Sequence, residues 1–172
     1  NRCVRAAAQQ ETGFGEETGL TIGAMKCKCR GESILFNAFK NGIPATIHTT
    51  IGAEIIYQHP DCNPSALGQA SYNDFRILAN SISRLESGVI ANVGSAVVLP
   101  EVFLKAFSVA RNLGYNLERF SAANLDMNDS YRPRKYVVER PTALDGEGFV
   151  ILEKHEKSIP TLHYLLTDKK GR

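Results

Sequence analysis

The run Val89-Ile90-Ala91-Asn92-Val93 constrains the fold of this chain more than any other segment. It is too short for a stable helix and has no polar alternation, so it reads as a short strand buried on both faces. Gly94-Ser95-Ala96 follows as a turn of small residues, and Val97–Leu99 leads to Pro100-Glu101. A helix then runs to Asn112-Leu113, with Pro100 near its first turn and Gly114 as its stop. Val102, Phe103, Ala106, Phe107, Val109 and Ala110 supply its apolar face. A strand, a tight turn and an amphipathic helix in that order form the unit of a parallel sheet, because parallel neighbours need a crossover.

The same alternation extends along the chain. Gly31–Phe39 predicts a short helix ended by Asn41-Gly42, and residues 43–48 (IPATIH) a strand with Pro44 near its start. A second helix start at Ala53–Tyr57 is stopped by His59-Pro60, and Asp61–Gly68 reads as a loop. Tyr72, Phe75, Leu78, Ile82 and Leu85 predict an amphipathic helix with Ser71 as N-cap and Asp74 completing an acidic capping box; Ser87-Gly88 closes it. Further strands are expected at 117–123 and 149–152. Around them lie the turn-rich 124–134, the segment 135–139, a loop at Asp145-Gly146, and a closing helix over about 158–168. Strands alternating with helices at short spacing predict an α/β fold, a mainly parallel sheet flanked by helices.

Residues 1–30 carry little pattern: Ala6–Glu11 reads as the end of a helix that Thr12-Gly13-Phe14-Gly15 breaks. The expected organisation is therefore a poorly patterned segment 1–30 and a single α/β domain over 31–172. The chain opens Asn1-Arg2-Cys3, and it is expected to be the later part of a longer one.

With 172 residues, 43% hydrophobic and 22% charged, the composition excludes a disordered chain and a disulfide scaffold. Twenty basic against eighteen acidic residues leave a net charge of +2, which argues against a nucleic-acid footprint. Small basic clusters at Lys26–Arg30, Arg132–Lys135 and Lys169–Arg172 read as solvated surface. No apolar stretch approaches the roughly 20 residues of a membrane span. Cys3, Cys27, Cys29 and Cys62 do not have zinc-knuckle spacing, and His48, His59, His155 and His163 lack the spacing of helical metal ligands, so no metal site is expected. Free thiols and a cytoplasmic location fit best.

Ligands of open parallel sheets bind beyond the carboxyl ends of the strands. Three small, polar segments are expected there: His48–Gly52, Asn92–Ala96 and Ala122–Asp126. Thr49, Thr50, Gly94, Ser95, Ala123, Asn124 and Asp126 are the candidate cofactor-binding residues, Gly94 because it permits close approach of a phosphate. His48 is a candidate general base and Glu101, at a helix start, a candidate catalytic carboxylate that pairs with a cationic group; taken alone, each reads more readily as a satisfied histidine at a strand end and a carboxylate favoured by the helix dipole. Asp126, Asn128 and Asp129 are either an acidic rim for an amine or ribose, or an Asx-rich turn. The candidate substrate-binding residues are Asp129, Arg132 and His155. A serine hydrolase is unsupported, because no Gly-x-Ser-x-Gly elbow is present.

From about Gly31 onward the order of these pieces resembles the deoxyhypusine synthase family. The resemblance rests on Asn41-Gly42-Ile43-Pro44, Glu54–His59, the helix over 71–86 and Gly88–Val98. It continues through Asn124-Leu125-Asp126-Met127-Asn128-Asp129-Ser130-Tyr131-Arg132-Pro133 and Ser158–Leu166, which is entered through Pro160. It implies a Rossmann-like NAD-binding fold, a homotetramer with sites at subunit interfaces, and aminobutyl transfer from a polyamine through an imine on an active-site lysine. Here the family's Trp-Gly-Lys segment reads Val137-Val138-Glu139-Arg140-Pro141, and no tryptophan is present. The family's histidine after the glycine turn is replaced around Pro100-Glu101, its Asp-Gly pair reads Thr49-Thr50, and its three-glycine turn reads Gly94-Ser95-Ala96. Its early N-terminal glycine turn is not matched.

The expectation is a deoxyhypusine-synthase-like protein with an NAD-type crevice, a small amine or nucleotide ligand, and altered or absent transfer chemistry. The alternatives are a non-catalytic oligomeric ligand-binding module of the same fold, and a different NAD-dependent amine oxidation with His48 or Glu101 as base.

Overall fold

The computed structural model describes residues 1–25 and 27–168, so Lys26 and residues 169–172 of the two terminal basic clusters lie outside the described residues. The chain forms two compact units, Asn1–Ile82 and Ser83–Arg172. The boundary expected after residue 30 falls inside the first of them.

The first unit is helical. Its helices are α1 (Arg2–Gln10), α2 (Phe14–Ala24), α3 (Ile34–Lys40) and α4 (Pro64–Ile82), with 3-10 turns at Arg30–Glu32 and Ile55–Gln58. Two helices therefore occupy the segment that reads as patternless. α1 buries Val4 and Ala7 against Ala66, Leu67 and Ala70 of α4, with Phe14, Ile56 and Tyr57 packed around them. Alanines carry much of this contact, and a face of small residues leaves a faint periodic signal. α2 packs on α3 and also approaches the chain after it closely: a Cβ on Gly15 would lie 1.8 Å from the Ala45 carbonyl oxygen.

α3 matches the expected helix. The Ser33 hydroxyl caps it by accepting from the Phe36 amide at 3.3 Å, and Gly42 beyond its end takes φ +64°. The helix start at 53–57 is a single 3-10 turn. α4 begins seven residues before the expected cap at Ser71. Pro64 opens it, and Asn63 Oδ1 accepts from the Ala66 amide at 3.0 Å. An Asn-Pro pair is a stronger helix start than its loop-like composition suggests. Ser71 and Asp74 thus lie in the helix interior. The expected strand 43–48 takes no regular secondary structure and pairs with no strand among the described residues. Pro44 has no N–H, the Ile47 amide donates to Asp74 Oδ2 at 2.6 Å, and the Thr49 amide to Ser71 Oγ at 3.5 Å. Side-chain oxygens take amides that a ladder would use.

The second unit is α/β. Strands β1 (Val89–Val93), β2 (Ser121–Asp126) and β3 (Glu147–Leu152) form a small open parallel sheet in the order β1-β2-β3. Helix α5 (Val98–Asn112) crosses from β1 to β2, a π-helix (Pro133–Glu139) lies between β2 and β3, and α6 (His155–Thr167) follows β3. α5 and the π-helix pack against each other, and the π-helix packs on β2 and β3, so both crossovers cover one face. Phe103, Phe107 and Phe120 meet there with ring centres 5.8 and 5.7 Å apart, above buried Ala122, Val137 and Val138.

β1 is not buried on both faces as its composition suggests: it is the sheet's edge strand, and Val89 is 72% exposed. The middle strand starts four residues later than the expected 117–123, because Leu117 and Phe120 are buried from the connecting loop. Val109 of α5 is exposed, while Phe103, Ala106, Phe107 and Ala110 are buried. No helix among the described residues is long and apolar enough to cross a membrane.

Candidate functional site

Three strand ends and one helix start define the crevice of the second unit. Leaving β1, the chain turns through Gly94 at φ +66°, and the Gly94 amide donates to the Leu125 carbonyl at 3.0 Å. A Cβ at Gly94 would stand 3.0 Å from His155 Nε2, the first residue of α6. Glycine is required here twice: by the left-handed backbone and by the histidine. Leaving β3, the Glu153 amide donates to the Asp126 carbonyl at 3.1 Å, which sets α6 against the end of β2.

Asn92 and Asn124 are register partners on the covered face of the sheet. Asn92 Nδ2 donates to Asn124 Oδ1 at 2.7 Å and to the Ser95 carbonyl at 3.0 Å, tying the Gly94 turn to β2. Asn124 is fully buried, and its Nδ2 has no partner among the described residues; nor have the buried atoms His155 Nδ1 and Ser158 Oγ. Unpartnered buried polar atoms cost about 1–3 kcal/mol each, which is repaid when a ligand supplies the missing bond. Asp126 is nearly buried, and its Oδ1 accepts from the Asn128 amide at 3.1 Å, an Asx turn. Ser95 Oγ accepts from the Leu99 amide at 3.2 Å, and so serves the start of α5. Ala123 pairs in register with Ala91 and Phe149 and faces the opposite side of the sheet from Asn124.

The outer candidates are brought together as ion pairs. Glu101 Oε1 accepts from Arg132 Nε at 3.1 Å and its Oε2 lies 3.7 Å from Lys105 Nζ, so this carboxylate pairs with two cations. Asp129 is held by Arg134, whose Nε lies 3.0 Å away, and that hydrogen bond keeps its carboxyl below the ordinary range. An acidic rim for an amine is thereby reduced to Asp126.

His48, Thr49 and Thr50 belong to the first unit and form a group of their own. They lie on the irregular segment that follows α3, not at the carboxyl end of a strand. His48 Nε2 is 3.0 Å from Thr46 Oγ1, and burial pushes its pKa down, which favours the neutral ring. The Thr50 amide donates to Glu54.

The most unusual carboxylate of this unit is one that motif reading places in a cap. Asp74 is wholly buried and accepts from the amides of Gly15, at 3.0 Å, and Ile47, at 2.6 Å. Burial raises its pKa, against the opposing pull of these bonds. The usable signal was the Thr12–Gly15 stretch, where glycines admit a carboxylate to the backbone. Beside it, Gly15, Glu16, Phe39, Ile43, Pro44 and Ile77 line a largely apolar cleft of about 310 Å³. All four cysteines are free, with Cys27 and Cys29 exposed. No group of three or more His, Cys, Asp or Glu among the described residues is placed to hold a metal ion.

No family model matches the chain, and neither the curated proteins nor the solved structures contain a similar one.

Proposed function

We propose that this chain is a deoxyhypusine-synthase-like protein whose crevice at the carboxyl ends of β1, β2 and β3 holds a dinucleotide of the NAD type, in a Rossmann-like arrangement. The observation that carries the reading is the Gly94 turn lying against His155 at the head of α6, with Asn124 and Asp126 at the adjoining strand. It lies within the stretch whose ordered motifs resemble that family.

The residues fit such a group. Gly94 brings the turn's backbone against His155 Nε2, where the Cβ of any other residue would meet the ring, so a phosphate at this turn would face both. At the start of α6 the Lys154, Lys157 and Ser158 amides are taken by Glu153 Oε1 and the Lys154 carbonyl, which leaves those of His155 and Glu156 to face an anion. Among the described residues Asn124 Nδ2 and His155 Nδ1 lack partners that a polar ligand supplies, and Asp126 suits a ribose hydroxyl. When bound, NAD supplies a hydride acceptor for amine oxidation.

The transfer step of the resembled family is altered or absent here. Its lysine is replaced within Val137–Pro141, and neither Arg140 nor Pro141 carries a primary amine that can hold an aminobutyl group as an imine. The Glu101 carboxylate is engaged by Arg132 and Lys105. The amine substrate class and a homotetrameric assembly follow from the resemblance and belong to the same proposal.

Thermal-shift titration with NAD, NADH and spermidine tests it. A nucleotide at 100 times its Kd adds about 2.7 kcal/mol, a rise of several degrees in melting temperature. Asn124→Ala should abolish the rise. No borohydride-trapped adduct should form with spermidine and NAD; a trapped adduct overturns the altered-chemistry half. No shift with either nucleotide overturns the crevice and leaves a non-catalytic binding module.

A further inference from the structure

The two crossovers of the second unit return from the carboxyl ends of their strands, so they finish at the amino end of the sheet, opposite the crevice. Between the last turns of α5 and the end of the π-helix lies an open cleft of about 380 Å³. Buried Phe107 and Pro141, with Leu104, form its floor; exposed Arg111, Asn112 and Arg140 stand at its rim.

The two arginines carry the argument. Arg119, Arg132 and Arg134 each hold a carboxylate. Arg111 and Arg140 make no ion pair and no side-chain hydrogen bond among the described residues. Each is laid over a ring instead: the Arg111 guanidinium is 5.8 Å from the centre of Phe107, and that of Arg140 is 5.1 Å from the centre of Tyr136. A guanidinium held over a ring keeps its charge, so both cations are positioned without being neutralised. Glu139, next to Arg140, is taken by Lys135.

The rest of the rim suits an anion. The Asn112 carboxamide has a free N–H to give, whereas the Ser108 hydroxyl is spent on the Leu104 carbonyl at 2.8 Å. The carbonyls ending α5 do not repel a negative group freely. Those of Val109, Ala110 and Arg111 accept from the Leu113, Tyr115 and Gly114 amides at 3.0, 3.2 and 2.9 Å.

We infer that this cleft binds a phosphate monoester, its oxygens held by Arg111 and Arg140 with Asn112, and its esterified group resting on Leu104, Phe107 and Pro141. One guanidinium is enough for both oxygens of a carboxylate. Two of them at one cleft match three terminal oxygens and nearly two charges. The inference stands apart from the NAD reading, since no residue is shared with the crevice.

Calorimetric titration of the full chain with phenyl phosphate tests it. Saturable one-to-one binding is expected, with benzoate at least tenfold weaker and inorganic phosphate competing for the site. Arg111→Ala and Arg140→Ala should each weaken binding about tenfold or more, as for loss of a charge-assisted bidentate pair. Arg111→Lys, which keeps the stem packed on Phe107, should weaken it less. Lys28→Ala, at an exposed cation of the other unit, should bind like the parent. Absence of saturation, equal binding of benzoate, or full affinity in either Arg111→Ala or Arg140→Ala overturns the inference. Equal weakening by Lys28→Ala also does so, because it marks a diffuse charge effect.

Discussion

Removing the Asp74 carboxylate is expected to loosen the whole first unit, because one side chain there ties three chain segments together. From the interior of α4, its Oδ2 accepts the Gly15 amide of α2 at 3.0 Å and the Ile47 amide of the irregular segment at 2.6 Å. Asp74→Ala leaves the buried Gly15 amide and the half-buried Ile47 amide without this partner, at about 1–3 kcal/mol each, or about 2–6 kcal/mol together. For a unit of this size that lowers the melting temperature by about 8 °C or more. Asp74→Asn keeps an oxygen for the amides and should cost less. The pH dependence separates charge from hydrogen bonding. Burial raises the folded pKa of Asp74, so its linked contribution is complete below the ordinary aspartate value of about 3.9 and is lost as the pH rises through the folded value. The gap between the parent and Asp74→Asn should therefore shift in favour of the asparagine as the pH rises. The assays are urea unfolding of both proteins from pH 3 to 7, and hydrogen exchange at Gly15 and Ile47. If Asp74→Ala leaves both amides protected, or if the parent gains on Asp74→Asn with rising pH, the reasoning fails.

Gly94→Ala places a β-carbon on a left-handed backbone and against His155; about 1–2 kcal/mol of strain is expected in circular-dichroism melts, together with loss of any NAD-induced shift. Phe107→Ala removes the ring between Phe103 and Phe120 and should cost about 3–5 kcal/mol in denaturant unfolding; a loss below 1 kcal/mol contradicts the packing. His48 has a pKa lowered by burial, so its contribution is complete above the ordinary histidine value of about 6.5 and is lost as the pH falls through the lowered one. His48→Gln should flatten that acid limb of the stability curve, and an unchanged limb refutes the assignment.

What the sequence by itself determined is the strand–turn–helix unit from Val89 to Gly114 and, with it, the α/β class of the second unit. Those residues signal locally: an apolar run, a small turn, a periodic face and a glycine stop act over a few residues and survive in the structure almost unshifted. α3 and its Gly42 end are legible for the same reason. Tertiary structure decided what local pattern cannot hold. α1 buries its face through alanines packed on α4, a contact between residues about sixty positions apart. The segment 43–48 has strand composition, yet the Asp74 carboxylate takes its Ile47 amide, so it joins no ladder. The candidate site divides along the same line. Gly94 was readable because a glycine in a turn of small residues directly after an apolar strand marks where the backbone turns sharply. Its approach to His155, the pairing of Glu101 with Arg132, and the assembly of Arg111 and Arg140 on one cleft depend on distances between segments far apart in the chain. A pattern of neighbours records which groups are present, and only the packing of the backbone decides which of them meet.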